Sequence, residues 1–128
     1  MCYNVSCKNF WKVIIIRNTL NFKLLKNNII NIEKNNVAYL KKVDKILFEM
    51  DESKYELSIS NNNMYFIKES TDSIIKISNN SSIIYLKEHN VTFDINVEYL
   101  KYKIIDNKYI IEYKLESDAE NTKIEIII

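Results

Sequence analysis

No glycine and no proline occur anywhere in this chain of 128 residues. That absence constrains the fold more than any motif does. Glycine is the usual residue where the backbone must take positive φ, and proline is the usual rigid turn former. A chain without either must turn on Asn and Asp, the side chains that next best tolerate the left-handed region. The Asn clusters at Asn27–Asn28, Asn61–Asn63 and Asn79–Asn80 are therefore expected to be turns rather than binding tracts. The same bias removes Gln and leaves one arginine, Arg17. Ile, Lys and Asn have A/T-rich codons and Gly and Pro have G/C-rich ones, so an A+T-rich genome accounts for the composition.

The absence also limits the chemistry. A phosphate-binding loop, a dinucleotide fingerprint and a nucleophile elbow all require glycine. One histidine, His89, sits in an expected loop after Glu88. A general base needs a partner within hydrogen-bond reach, and Glu88 on a strand would point to the opposite side. His89 therefore reads as a solvated surface residue. The pair Asp51-Glu52 reads as a turn. Asp94 and Glu98 should share the polar face of one strand, where adjacent carboxylates are ordinary. No catalytic residue, metal ligand or cofactor site is expected, and the chain reads as non-enzymatic.

Net charge is +1, from 18 Lys+Arg against 17 Asp+Glu, so no basic field favours nucleic acid. Apolar residues make up 47%, enough for one core. A chain of this length buries roughly two thirds of the surface exposed when unfolded. Cys2 and Cys7 have no zinc-ligand spacing and read as free thiols, which points to the cytoplasm. The apolar run Val13–Ile16 is too short for a signal peptide core, and no run reaches the roughly 20 residues of a membrane helix. The sequons at Asn4, Asn80 and Asn90 are expected by chance in an Asn-rich chain.

Hydrophobic patterning gives the fold class. Tyr55, Leu57 and Ile59 alternate with polar residues, the period of a half-buried strand. Short runs follow at Met64–Ile67, Ile74–Ile77 and Ile83–Leu86. Val91, Phe93, Ile95, Val97 and Tyr99 alternate next; the phase then slips, and Leu100, Tyr102 and Ile104 carry the apolar side. A one-residue slip predicts a bulge or sharp bend near Tyr99-Leu100. Tyr109, Ile111, Tyr113 and Leu115 alternate after the Asp106-Asn107 turn, and Ile124, Ile126 and Ile128 close the chain.

Strands are also expected at Val13–Ile16, Leu20–Leu25 and Ile29–Ile32. The stretch from Val37 to Met50 has two readings. Val37, Leu40, Val43, Ile46, Leu47 and Met50 fit one face of a short helix with Asn35 or Asn36 as its cap. Alternatively, Val37–Leu40 and Ile46–Phe48 are two strands. The whole predicts an all-β single domain over residues 1–128, an antiparallel meander forming a small barrel or sandwich, with one short helix near 36–50 as the variant.

From about Ile46 onward the order of runs resembles the YwiB-like proteins, the domain-of-unknown-function family 1934. The residues carrying the likeness are Lys54–Glu56, Met64–Lys68, Ser82–Glu88, Tyr99-Leu100-Lys101, Asp106–Glu116 and Asn121–Ile126. The resemblance implies a lipocalin-like (calycin) barrel of eight to ten strands with no known activity. The family's usual Pro- and Gly-containing loop is absent here, at His89–Thr92.

Two partners come into view. A barrel interior could hold a small apolar ligand. Alternatively, a sheet edge or a Tyr/Ile surface could take a protein partner, a second copy of the chain included. Tyr99, Tyr102, Tyr109 and Tyr113, interleaved with Lys101, Lys103, Lys108 and Lys114, are the candidate ligand or interaction surface. The same interleaving would suit single-stranded nucleic acid, but Tyr99 and Tyr102 differ in parity, and rings filling the core and rim explain them more simply.

Overall fold

The computed structural model describes residues 18–60 and 62–128, and within them the protein is all-β. Eleven strands run β1 (Thr19–Lys26), β2 (Ile29–Lys41), β3 (Lys45–Met50), β4 (Ser53–Ser60), β5 (Asn63–Glu69), β6 (Ser73–Ser78), β7 (Ser82–Leu86), β8 (Val91–Ile95), β9 (Val97–Ile105), β10 (Lys108–Leu115) and β11 (Thr122–Ile127). They form one antiparallel sheet in the order β8-β7-β6-β5-β4-β3-β2-β1-β11-β10-β9, curled into a nearly closed barrel. The expected strand at Val13–Ile16, the thiols Cys2 and Cys7 and the sequon at Asn4 lie outside the described residues.

The turns show how a glycine-free chain reverses direction. Positive φ falls at Asn27, Asn28, Asn36, Asp51, Glu52, Asn90 and Asp106. Asn27-Asn28 and Asp51-Glu52 each put two successive residues there, as a two-residue hairpin with matching strand twist requires. All but Glu52 are Asn or Asp, the types expected to tolerate it. The Asn clusters also tie neighbouring turns together. Met64 N donates to Asn79 Oδ1 at 3.1 Å, and Asn80 Nδ2 to Asn63 Oδ1 at 3.1 Å.

The helical variant for 36–50 is corrected by the structure. Val37 and Tyr39 of β2 pack against the core, as do Ile46, Phe48 and Met50 of β3. These residues follow the period of two. Leu40 and Val43, which a helix would have buried, are exposed, and Val43 sits in the tight connection between β2 and β3. Lys42 N donates to Lys45 O at 2.9 Å to close that connection. A helix would also have turned Tyr39 and Phe48 away from the apolar face, so aromatic burial on a pleated surface wins. Asn36, considered as a helix cap, instead forms a bulge in β2. Leu20 pairs with Val37 and Phe22 with Lys34, and Asn36 N donates to Asn21 Oδ1 at 3.1 Å.

The barrel interior is occupied by side chains from both halves of the sheet. Phe22 of β1 lies 5.9 Å from both Phe48 and Tyr55, and Phe48 stacks on Tyr55 at 5.1 Å. Tyr55 in turn meets Phe66 at 5.8 Å. Leu20, Leu57, Met64, Ile111, Ile124 and Ile126 complete the fully buried set. At one mouth, Leu57 and Ile59 face Ile104 and Tyr109 across a gap of only about 80 Å³. Each aromatic ring contributes a large burial term plus roughly 0.5–1.5 kcal/mol per well-placed ring pair.

The sheet ends at β8 on one side and β9 on the other, yet these strands are consecutive in the chain, joined by Asn96 alone. Ten antiparallel steps separate them around the sheet, so they run in the same direction. Residues 91–105 are therefore one long strand bent at Asn96, pairing with β7 before the bend and with β10 after it. Glu116 N donates to Asn96 O at 2.9 Å and pins the bend to the end of β10. The slip predicted at Tyr99-Leu100 is real but lies earlier. Lys114 pairs with Tyr99 and Leu115 with Val97, so Glu98 is the extra residue of the bulge.

Candidate functional site

Among the described residues the sheet has two unpaired ends, β8 and β9, and the β9 edge is the longer. β9 pairs with β10 on one side only. Its nine residues span roughly 30 Å of strand. The residues flanking the two-residue turn, Ile105 and Lys108, form a hydrogen-bonded pair. Counting back from them, the odd-numbered residues bond to β10. Leu100, Tyr102 and Ile104 then aim their backbone N–H and C=O groups at the open side. Such a row is a template for another strand.

Side-chain parity gives this edge two different faces. Leu100 and Tyr102 turn inward and pack against the core, and Ile104, 48% exposed, lies at the mouth. Tyr99, Lys101, Lys103 and Ile105 turn outward. Lys101 Nζ lies 5.5 Å from the centre of the Tyr99 ring, a cation–π contact along the edge. The next basic residues inward are all neutralised. Lys114 bonds Glu98 at 2.7 Å, and this contact holds the bulge and raises the lysine's pKa; Lys108 and Lys123 reach Glu125 at 3.4 and 3.5 Å. Lys101 and Lys103 have no ion pair within 4.0 Å among the described residues, although Glu112 stands opposite Lys101 in register. A shallow cleft of about 240 Å³ lies beside them, lined by Lys101, Lys103, Ile110 and Glu112.

The four candidate tyrosines do not share one face. Tyr102, Tyr109 and Tyr113 pack against the core from the inside, and Tyr99 stands outside. Burial pushes the Tyr113 pKa up, and a hydrogen bond with Thr122 lowers it in part. Tyr99 and Tyr102 both belong to the β9 edge, on opposite faces of it. Sequence reasoning passed over Leu100 and Ile104 as edge residues. No local signal marks them, because which strands end the sheet is decided by the pairing of β1 with β11.

The other polar candidates are dispersed. His89 lies in the exposed loop between β7 and β8. Because that segment is a loop and not a strand, Glu88 does come near, with Oε1 at 4.0 Å from His89 Nε2, but both side chains are solvated. Asp94 and Glu98 fall on β8 and β9 either side of the bend. Asp51 pairs with Lys34 at 3.2 Å in its turn. On the outer face, Tyr65 donates to Glu56, Lys45 lies 3.7 Å from Glu56, and Lys76 sits over the Tyr65 ring at 5.2 Å. Burial and the Glu56 carboxylate push the Tyr65 pKa up, and Lys45 lowers it in part.

One further cleft, of about 490 Å³, opens near the bend and is lined by Ile84, Ile95, Asn96 and Leu115 among others. No helix of the described residues is long and apolar enough to cross a membrane. A scan of family models, a search of curated proteins and a search of solved structures each found no match to this chain.

Proposed function

We propose that this protein is a non-enzymatic binding module that takes up an extended protein segment along the free edge of β9. The observation that carries the proposal is the row of backbone groups at Leu100, Tyr102 and Ile104 that has no partner strand among the described residues, beside half-exposed apolar side chains. A strand added there gains main-chain hydrogen bonds for affinity and alternate side-chain contacts for selectivity. The filled interior supports an edge in preference to a central cavity as the place of binding.

The probe is a synthetic extended peptide of alternating Val and Thr, titrated by amide NMR. Its binding should shift the Leu100, Tyr102 and Ile104 N–H signals. Ile104→Pro, which removes one edge donor at a position where an edge strand tolerates proline, should abolish binding, and Ile104→Ala should retain it. A peptide N-methylated along one edge should fail to bind the unaltered protein. Unchanged β9 amides at millimolar peptide would refute the proposal.

A second reading, a small apolar ligand, draws its support from the cleft at Ile84, Ile95 and Leu115. An environment-sensitive apolar dye tests it. Enhancement lost in Leu115→Asp supports this reading, and enhancement indifferent to that change dismisses it.

A further inference from the structure

Resting on the edge reading above, the geometry points to a partner strand of defined chemistry: one whose alternate side chains are acidic on the outer face and apolar on the inner. Three observations converge on it. The outward residues along the edge are Tyr99, Lys101, Lys103 and Ile105, so the two central ones are cationic. Lys101 and Lys103 have no ion pair among the described residues, while Lys108, Lys114 and Lys123 nearby each have a carboxylate within 3.5 Å. The inward residues Leu100, Tyr102 and Ile104 are apolar or aromatic, and Ile104 keeps 48% of its surface exposed where a neighbouring strand would cover it.

Residues directly opposite on paired strands share a face, and opposite charges across such a pair attract while like charges repel. A partner with Glu or Asp facing Lys101 and Lys103, and Val, Ile or Leu between them, satisfies both faces at once. The same arrangement disfavours a second copy of this chain. In the fully overlapped antiparallel register Lys101 would oppose itself, and one step away it would oppose Lys103. Edge lysines are a common device against self-pairing. Here they repel a like edge and leave an acidic one attractive.

The test uses the full chain and two charged forms of the Val–Thr peptide, with every Thr replaced by Glu in one and by Lys in the other. Binding is followed by the same amide signals at 50 and 300 mM salt. The Glu peptide should bind about tenfold tighter than the Lys peptide, from two cross-strand charge pairs, with the gap narrowing at high salt. In Lys101→Glu/Lys103→Glu the order should reverse. This double change lies at exposed outward positions, and a matching thermal melt confirms that it folds. Equal binding of the two charged peptides overturns the charge inference and leaves the edge reading standing. Failure of the neutral Val–Thr peptide as well removes the edge reading itself. A dimer in sedimentation that Lys101→Glu/Lys103→Glu alters, and that blocks peptide binding, would make the occupant a second copy and overturn the hetero-partner.

Discussion

Replacing Glu52 by glycine should stabilise this protein, although it removes a side chain. Glu52 occupies the second position of the β3–β4 turn at φ 66°, next to Asp51 at φ 50°. The left-handed region costs a non-glycine L-residue roughly 1–2 kcal/mol, and Glu has no local hydrogen-bonding habit to offset that, as Asn and Asp do. Glycine removes the penalty. Against this, glycine loses more backbone freedom on folding, about 0.4–1 kcal/mol. The net gain is about 0.5–1 kcal/mol. For a domain of this size it should raise the Tm by about 2–4 °C. The Lys34–Asp51 pair at 3.2 Å is left intact by the change. Urea melts should show a higher midpoint at unchanged slope, which separates a folded-state effect from a changed denatured state. Glu52→Val, β-branched and least tolerant of positive φ, should lower the Tm. A Glu52→Gly protein no more stable than the parent, or one that ranks with Glu52→Val, would refute the claim that backbone strain is held at this turn.

Phe22→Ala should cost about 3–5 kcal/mol, because Phe22 is 2% exposed and touches both Phe48 and Tyr55; a urea-midpoint loss below about 1 kcal/mol would show that the ring cluster is not the centre of the core. Alkaline titration should reveal Tyr113 as a late-ionising tyrosine, since burial raises its pKa above the ordinary value of 10.0. A raised folded pKa means that the stabilisation is complete below about pH 10 and is lost as pH climbs through the folded value. Tyr113→Phe should therefore flatten the alkaline loss of stability measured by denaturant midpoints at pH 9 to 11, and an unchanged slope would count against it.

Much of the fold is legible in the sequence because its apolar residues alternate cleanly. Tyr55, Leu57, Ile111, Ile124 and Ile126 all fall on the face that the period of two assigns them. The missing glycine was equally informative, since Asn27, Asn28, Asn36, Asn90, Asp51 and Asp106 take the positive φ values. Two features escaped for physical reasons. The stretch from Val37 to Met50 holds both a helical spacing (Val37, Leu40, Val43, Ile46) and two short strand-like runs (Val37–Leu40, Ile46–Phe48), and only burial of Tyr39 and Phe48 decides between them. The bulge falls at Glu98, just before the Tyr99-Leu100 position read from the pattern, because Tyr99 is amphipathic; it counts as apolar in a pattern but stands outside under Lys101. The candidate site was less legible. Lys101, Lys103, Tyr99 and Tyr102 stood out as a basic and aromatic cluster, but an edge is a property of the whole sheet, and no stretch of sequence carries it.

The strand order has a kinetic consequence. Every neighbouring pair in the sheet except one is adjacent in the chain, so nine of the ten ladders can zip as local hairpins. The exception is β1 with β11, where Phe22 meets Ile126 and Leu24 meets Ile124. Bringing such ends together across about a hundred residues costs roughly 4 kcal/mol of loop-closure entropy. That single ladder should therefore govern the folding rate, as non-local pairings do in β proteins. Until it forms, the chain is an open ribbon in two pieces. Phe22, Ile124 and Ile126, which the closed barrel hides completely, are then what an aggregating neighbour would find first.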